Sequence, residues 1–139
     1  MLLQKRMNWI LMAKFVIDAW AWMEYLNGSA KGKAVHDLTQ NEDNEVFTSA
    51  VSLAEVLSKV LRQGKDQTIA REALCQLSKI VVADEALASR AGELHAKIKR
   101  RTPNFSLGDS FVLATASIVN ATVITGDPDF KGVAGVKFI

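Results

Sequence analysis

Short runs of β-branched and apolar residues alternate along the chain with longer stretches in which apolar positions recur every three or four residues. The first run, Lys14 to Ile17, stops on the carboxylate of Asp18 and is followed by a helix-like segment that ends at Gly28. Residues 30 to 40 read as a second short helix, and the polar stretch Gln40 to Glu45 separates it from a second strand, Val46 to Thr48. A third helix is predicted from about Ser52 to Gln63, closed by Gly64. A fourth opens at Asp66, with Ile69, Ala73 and Leu77 on one face. Ile80 to Val82 gives a third strand. The clearest helix spans about Asp84 to Arg101: Leu87, Ala91, Leu94 and Ile98 share a face, acids occupy the first turn and bases the last. The next, Ser106 to Asn120, is apolar nearly all round, which predicts a helix sandwiched between other elements. Thr122 to Thr125 is a fourth strand, Gly126 to Phe130 a tight turn, and Val136 to Ile139 a short edge strand.

Strands this short, alternating with helices, favour parallel pairing through right-handed crossovers, hence a sheet covered on both faces. The expected fold class is α/β, a three-layer α/β/α arrangement around a short parallel sheet. In such sheets ligands bind beyond the carboxyl ends of the strands, where strand order reverses.

With 139 residues and 49% apolar content, the chain is long enough for one core and too short for two ordinary domains. Residues 12–139 are read as one domain and residues 1–11 as an N-terminal extension. Lys5 and Arg6 before an apolar stretch superficially resemble a secretory leader, but Lys14 and Asp18 interrupt it. No run approaches the roughly 20 apolar residues of a membrane span. The formal charge of +2 is too balanced to announce a polyanion through the global field, so nucleic acid would have to be met by local patches. One cysteine, Cys75, expected to pack as a small apolar residue, excludes an internal disulfide and suits a reducing cytoplasm. Two histidines, His36 and His95, are too few for an ordinary zinc site. No glycine-rich phosphate loop is present, which disfavours dinucleotide and nucleoside-triphosphate binding.

The chemistry lies in four acids. Asp18 ends the first strand, Glu55 lies in the helix after the second, Asp109 begins the long apolar helix and Asp127 follows the fourth strand. A crossover helix runs antiparallel to the strand it feeds, so all four converge on one sheet edge. Each also has an ordinary reading as a helix-end residue. Ser52 to Glu55 and Ser106 to Asp109 both fit a capping box, Asp127 precedes a proline, and Asp18 precedes a helix. Four caps have no reason to share an edge, whereas a divalent cation needs several oxygen ligands together, and ions so held clamp the oxygens of a phosphodiester.

These residues also carry a resemblance. Ile17 and Asp18, the segment Ser52 to Val56, Gly108 and Asp109 with Ala114 to Ala116 behind them, and the segment Thr125 to Phe130 resemble PIN domains, in order, over residues 13 to 139. The chain is most similar to the single-domain ribonuclease toxins of VapBC toxin–antitoxin pairs. The resemblance implies Mg²⁺- or Mn²⁺-dependent cleavage of RNA, a homodimer and an antitoxin partner. It makes Asp18, Glu55, Asp109 and Asp127 the catalytic, metal-binding acids, with Asp129 an auxiliary ligand and Thr125 a supporting hydroxyl. It further implies that water is activated by the metal, leaving a 5'-phosphate and a 3'-hydroxyl. The family commonly places Thr or Ser directly after the first aspartate, where this chain has Ala19.

Lys97, Lys99, Arg100 and Arg101 are candidates for holding RNA phosphates, single-stranded RNA being the expected substrate, and equally for complementing the helix dipole. Lys59 and Arg62, one and two turns beyond Glu55, are weaker candidates. Trp20 and Trp22 could stack bases, although packing or an interface is the commoner use of such residues. Two other readings compete with the ribonuclease. One is a PIN-like module that binds RNA or a protein without cutting, which Ala19 keeps open. The other is a receiver-like phosphoacceptor, which would need paired acids after the first strand, where Asp18 stands alone.

Overall fold

A computed structural model describes residues 13–139, so the reading of residues 1–11 as an extension lies outside the described residues. The strands are β1 (Ala13–Ile17), β2 (Asn44–Ser49), β3 (Lys79–Val81), β4 (Thr122–Thr125) and β5 (Val136–Phe138). The helices are α1 (Ala19–Leu26), α2 (Ala30–Gln40), α3 (Ala50–Arg62), α4 (Gln67–Leu77), α5 (Glu85–Lys99) and α6 (Leu107–Val119), with a 3-10 turn at Pro128–Phe130. All strand pairs are parallel and the sheet order is β3-β2-β1-β4-β5.

Two cores form because the side chains of consecutive strand residues point to opposite faces. Ile17, Val46 and Ile124 join Trp22, Val35, Val56 and Leu74 of α1 to α4 on one face. Val16, Phe47 and Val123 join Ile98, Val112 and Leu113 of α5 and α6, with Phe105 and Phe130, on the other. Leu87, Ala91 and Ala114 fasten α5 to α6. Since α6 packs on both the sheet and α5, its all-round apolar character follows from its place between two layers.

Three sequence readings need correction. Helix α3 does not begin with a capping box at Ser52 and Glu55. Strand β2 runs on to Ser49, whose hydroxyl accepts from the Val51 N–H, so the helix starts earlier, Ser52 is turned into the core and Glu55 falls in the second turn. The apolar run at 80–82 is not wholly strand either: Val82 leaves the sheet and is 73% exposed. Cys75 is exposed on α4 rather than packed.

The chain builds outward from β1 to β2 and β3, then crosses back over β1 to lay down β4 and β5. The reversal opens a crevice at the carboxyl ends of β1 and β4, the position where open α/β sheets place ligands. There the Asp18 N–H donates to the Ile124 carbonyl at 3.2 Å, so the two strand ends are held side by side as their chains diverge.

Candidate metal centre

Asp18, just beyond β1, is buried, and both its carboxylate oxygens are engaged. Oδ1 accepts from the Ala21 N–H at 2.8 Å, capping α1, and Oδ2 accepts from the Thr125 hydroxyl at the end of β4. Thr125 Oγ1 in turn accepts from the Asp127 N–H at 2.9 Å, and Asp127 Oδ1 accepts from the Asp129 N–H at 2.9 Å. One buried hydroxyl therefore ties the first acid to the loop that carries two others. Asp109 reaches the same place from α6. A capping box fixes it: its N–H donates to Ser106 Oγ and its Oδ2 accepts from the Ser106 N–H, each at 3.0 Å.

Asp109, Asp127 and Asp129 each present a carboxylate oxygen, and these oxygens lie within 4.8 Å of one another. Asp18 stands close enough to Asp109 and Asp127 for their charges to disfavour its ionisation. Glu55 borders the cluster from α3, its carboxylate packed against Gly108, where an added Cβ would lie 2.5 Å from Oε1. The structure thus gathers all five acids at the crevice, with Asp129 in the tight trio and Asp18 and Glu55 flanking it.

The electrostatics are those of like charges brought into a partly desolvated space. Burial first, then Asp109 and Asp127, raise the Asp18 carboxyl from 3.8 to about 7, against the opposing pull of its hydrogen bonds from Thr125 and Ala21. Glu55 is raised by burial and by Asp109. Asp109 is raised by burial, opposed by the Ser106 hydrogen bonds and reinforced by Asp127 and Asp129. An oxygen-only donor set with three ligand atoms at chelating separation, in which charge is disfavoured without a counterion, fits a hard divalent cation such as Mg²⁺ or Mn²⁺. Among the described residues, no histidine or cysteine joins the group.

Two contacts at this edge were not legible from the motif. The six-membered ring of Trp20 lies so close to Gly126 that a Cβ there would sit 2.2 Å from it. Gly126→Ala is therefore expected to displace either Trp20 or the Thr125 to Asp127 segment, at a cost of about 1–3 kcal/mol. Urea denaturation of the metal-free protein measures it, and an unchanged midpoint would show that the ring gives way freely. The hydroxyl of Thr125, a residue that the resemblance had placed near the acids, links Asp18 directly to the Asp127 backbone; its signal is a polar residue that follows the buried apolar pair Val123 and Ile124 at the end of β4.

The basic candidates are placed less centrally. Lys97 and Arg101 line a groove of about 490 Å³ between α5, α6 and the loop before β5, with none of the five acids among its walls. The Lys99 ammonium donates to the Pro103 carbonyl at 3.0 Å, and Arg100 caps α5. Trp22 is fully buried, with its indole N–H donating to Thr48 Oγ1 at 2.9 Å, which leaves it no face for a base.

The family model of the PIN domain matches residues 15–136. No curated protein matches the chain. Solved structures similar in fold include a toxin–antitoxin complex from Klebsiella pneumoniae, at TM-score 0.69 and 23% identity, covering 88% of this chain and 94% of that one. VapBC2 from Rickettsia felis, bound to a DNA fragment from its promoter, gives TM-score 0.71 and 17% identity over 91% of this chain and 97% of that one. Mycobacterium tuberculosis VapC20, a toxin that cleaves the sarcin-ricin loop, gives 0.69 and 19% over 88% and 96%.

Proposed function

The chain belongs to the PIN domain family, and on that premise we propose that it is a metal-dependent endoribonuclease, the toxin of a toxin–antitoxin pair. The observation that carries the reading is the convergence of Asp109, Asp127 and Asp129, with Asp18 and Glu55 beside them, at the point where strand order reverses. Similarity in fold to toxins from VapBC pairs supports the antitoxin partner. The sarcin-ricin loop cleaved by one of these relatives supports RNA as the substrate class. Among the described residues no helix is long and apolar enough to cross a membrane. The same reading takes in a single domain over residues 12–139, a homodimer and a cytoplasmic location. Trp22 belongs to the core and so is not available to any dimer surface near α1.

Asp109, Asp127 and Asp129 would hold Mg²⁺ or Mn²⁺, with Asp18 and Glu55 completing the negative field that retains it. When bound, the cation supplies Lewis acidity toward the phosphodiester and lowers the pKa of water for attack. The protein's own part is positional. Ser106 keeps Asp109 aimed into the crevice, and Thr125 Oγ1 sets the separation of Asp18 from the Asp127 loop. The buried Asp18 carboxyl retains a proton to near neutrality, and a bound cation would favour its release. Ala19 offers no hydroxyl beside Asp18, and that observation favours the alternative of a PIN-like module that binds RNA or a protein without cutting.

Incubating purified protein with single-stranded RNA and Mg²⁺ or Mn²⁺, with and without EDTA, beside the Asp109→Asn variant, decides between the two. Cleavage abolished by both chelator and substitution is the expected outcome, with products carrying 5'-phosphate and 3'-hydroxyl ends. Cleavage surviving either treatment would refute the metal mechanism, and metal-dependent stabilisation without cleavage would establish the inactive module.

A further inference from the structure

A polyanion approaching five carboxylates is repelled unless basic side chains meet it beside them, and the groove that contains Lys97 and Arg101 contains none of those acids. A different groove, of about 480 Å³, runs between α1 and α3. Ala19 and Trp20, next to Asp18, form one wall. The other is a single face of α3 on which Glu55, Ser58, Lys59 and Arg62 follow one another at helical spacing. Its acidic end is Glu55, which belongs to the crevice. Its far end is basic. Lys59 and Arg62 are exposed, and the ion pairs found among the described residues involve neither of them.

We propose that this α1/α3 groove is the track for single-stranded RNA flanking the scissile phosphate, with Lys59 and Arg62 holding successive backbone phosphates and Trp20 and Ala19 forming the apolar wall beside the sugar and base. The inference rests on the ribonuclease reading and adds to it which basic residues carry substrate. Three features favour RNA over a protein as occupant: the groove is continuous with the acid cluster through Glu55, its charge changes sign along its length away from that cluster, and Lys59 and Arg62 lie about one turn apart on α3. Cationic residues strung at that interval match a polyphosphate backbone, whose contacts are electrostatic and independent of sequence.

Binding of a fluorescent single-stranded oligoribonucleotide, measured across salt concentrations in the Asp109→Asn background, tests the track without requiring turnover. Two further variants in that background are compared, Lys59→Gln with Arg62→Gln and Lys97→Gln with Arg101→Gln. Each phosphate contact contributes about 0.7 to the slope of log affinity against log salt, so the first pair is expected to lower the slope by about 1.4 and weaken binding at least tenfold at moderate salt. The second pair is expected to leave the slope unchanged. Equal slopes for the Lys59/Arg62 pair and its parent, or a larger loss from the Lys97/Arg101 pair, would overturn the proposal. So would unchanged RNA affinity together with lost binding of a purified antitoxin, which would give the groove to a protein. Thermal melts of each variant confirm that these exposed substitutions leave the fold intact. Absence of cleavage in the unsubstituted protein would count against the nuclease reading alone, because the binding slopes are read separately from it.

Discussion

Asp18→Asn is expected to lose RNA cleavage by at least about a hundredfold while making the metal-free protein more stable at neutral and alkaline pH. The first effect follows from removing a charge from the cluster proposed to hold the cation, since electrostatic stabilisation by such an ion amounts to several kcal/mol. The second follows from the same charge being buried. The Asp18 carboxyl is raised from 3.8 to about 7, chiefly by burial. Between those values the folded chain binds a proton that the unfolded chain has released. Stability from this group is therefore intact below about pH 4, declines as pH rises toward 7, and is fully lost above it. The penalty is on the order of 4 kcal/mol, and an asparagine, neutral at every pH, escapes it. Urea denaturation in EDTA at pH 4 and pH 8 reads the sign directly: the variant and the unsubstituted protein should agree at pH 4, and the variant should be the more stable at pH 8. Added Mg²⁺ or Mn²⁺ should reverse the order by stabilising the unsubstituted protein more than the variant, which keeps Asp109, Asp127 and Asp129 but lacks the Asp18 charge. A variant no more stable at pH 8 than the parent would mean that Asp18 is not the strained group of the cluster.

The largest purely structural effect is expected at Trp22. Its side chain is fully buried beneath the sheet and its indole N–H donates to Thr48 Oγ1, which also shares a 2.6 Å hydrogen bond with the Ser78 hydroxyl. Trp22→Ala leaves a cavity in the core between α1 and the sheet and orphans part of that buried chain of hydroxyls, at a cost of about 3–5 kcal/mol. Against a typical total of about 5–15 kcal/mol, that places a substantial fraction of the molecules near unfolding. Trp22→Phe should cost less but not nothing, because the ring is mostly replaced while the hydrogen bond is not. Equal stability of the two variants would show that the indole N–H, rather than the ring's volume, dominates. Since Trp22 and Asp18 share the first turns of α1, loss of activity in Trp22→Ala must be read together with its melting curve.

The acids and their roles separate what can be read along the chain from what cannot. The periodicity of the apolar residues determined the alternation of strands and helices, and the all-round apolar helix at 106–120 determined that one helix is enclosed by two layers, because burial demands apolar side chains wherever a surface is covered. Asp18, Glu55, Asp109, Asp127 and Asp129 were all visible in the sequence, but along the chain each of the first four also had an ordinary reading as a helix-end residue. Asp109 remains one in the folded protein, bonded to Ser106 as a capping box, while the same carboxylate lies within chelating reach of Asp127 and Asp129. Ser52 shows the converse. Its spacing to Glu55 promised a capping box, yet the extension of β2 to Ser49 turned it inward, where its hydroxyl has no partner among the described residues. The ranking of the two basic groups was also beyond the sequence, which put Lys59 and Arg62 second. Lys97 to Arg101 precede Asp109 in the chain but line or cap a different part of the surface, whereas Lys59 and Arg62 share a groove with Glu55.

Local pattern thus determined the elements and the inventory of charged groups, because those depend on neighbours within a few residues. Only the tertiary structure decided which charges meet. That depends on the crossover from β3 back to β4, which sets Thr125 against Asp18 from 107 positions away and brings carboxylates into one partly desolvated crevice, where their mutual repulsion favours a shared cation.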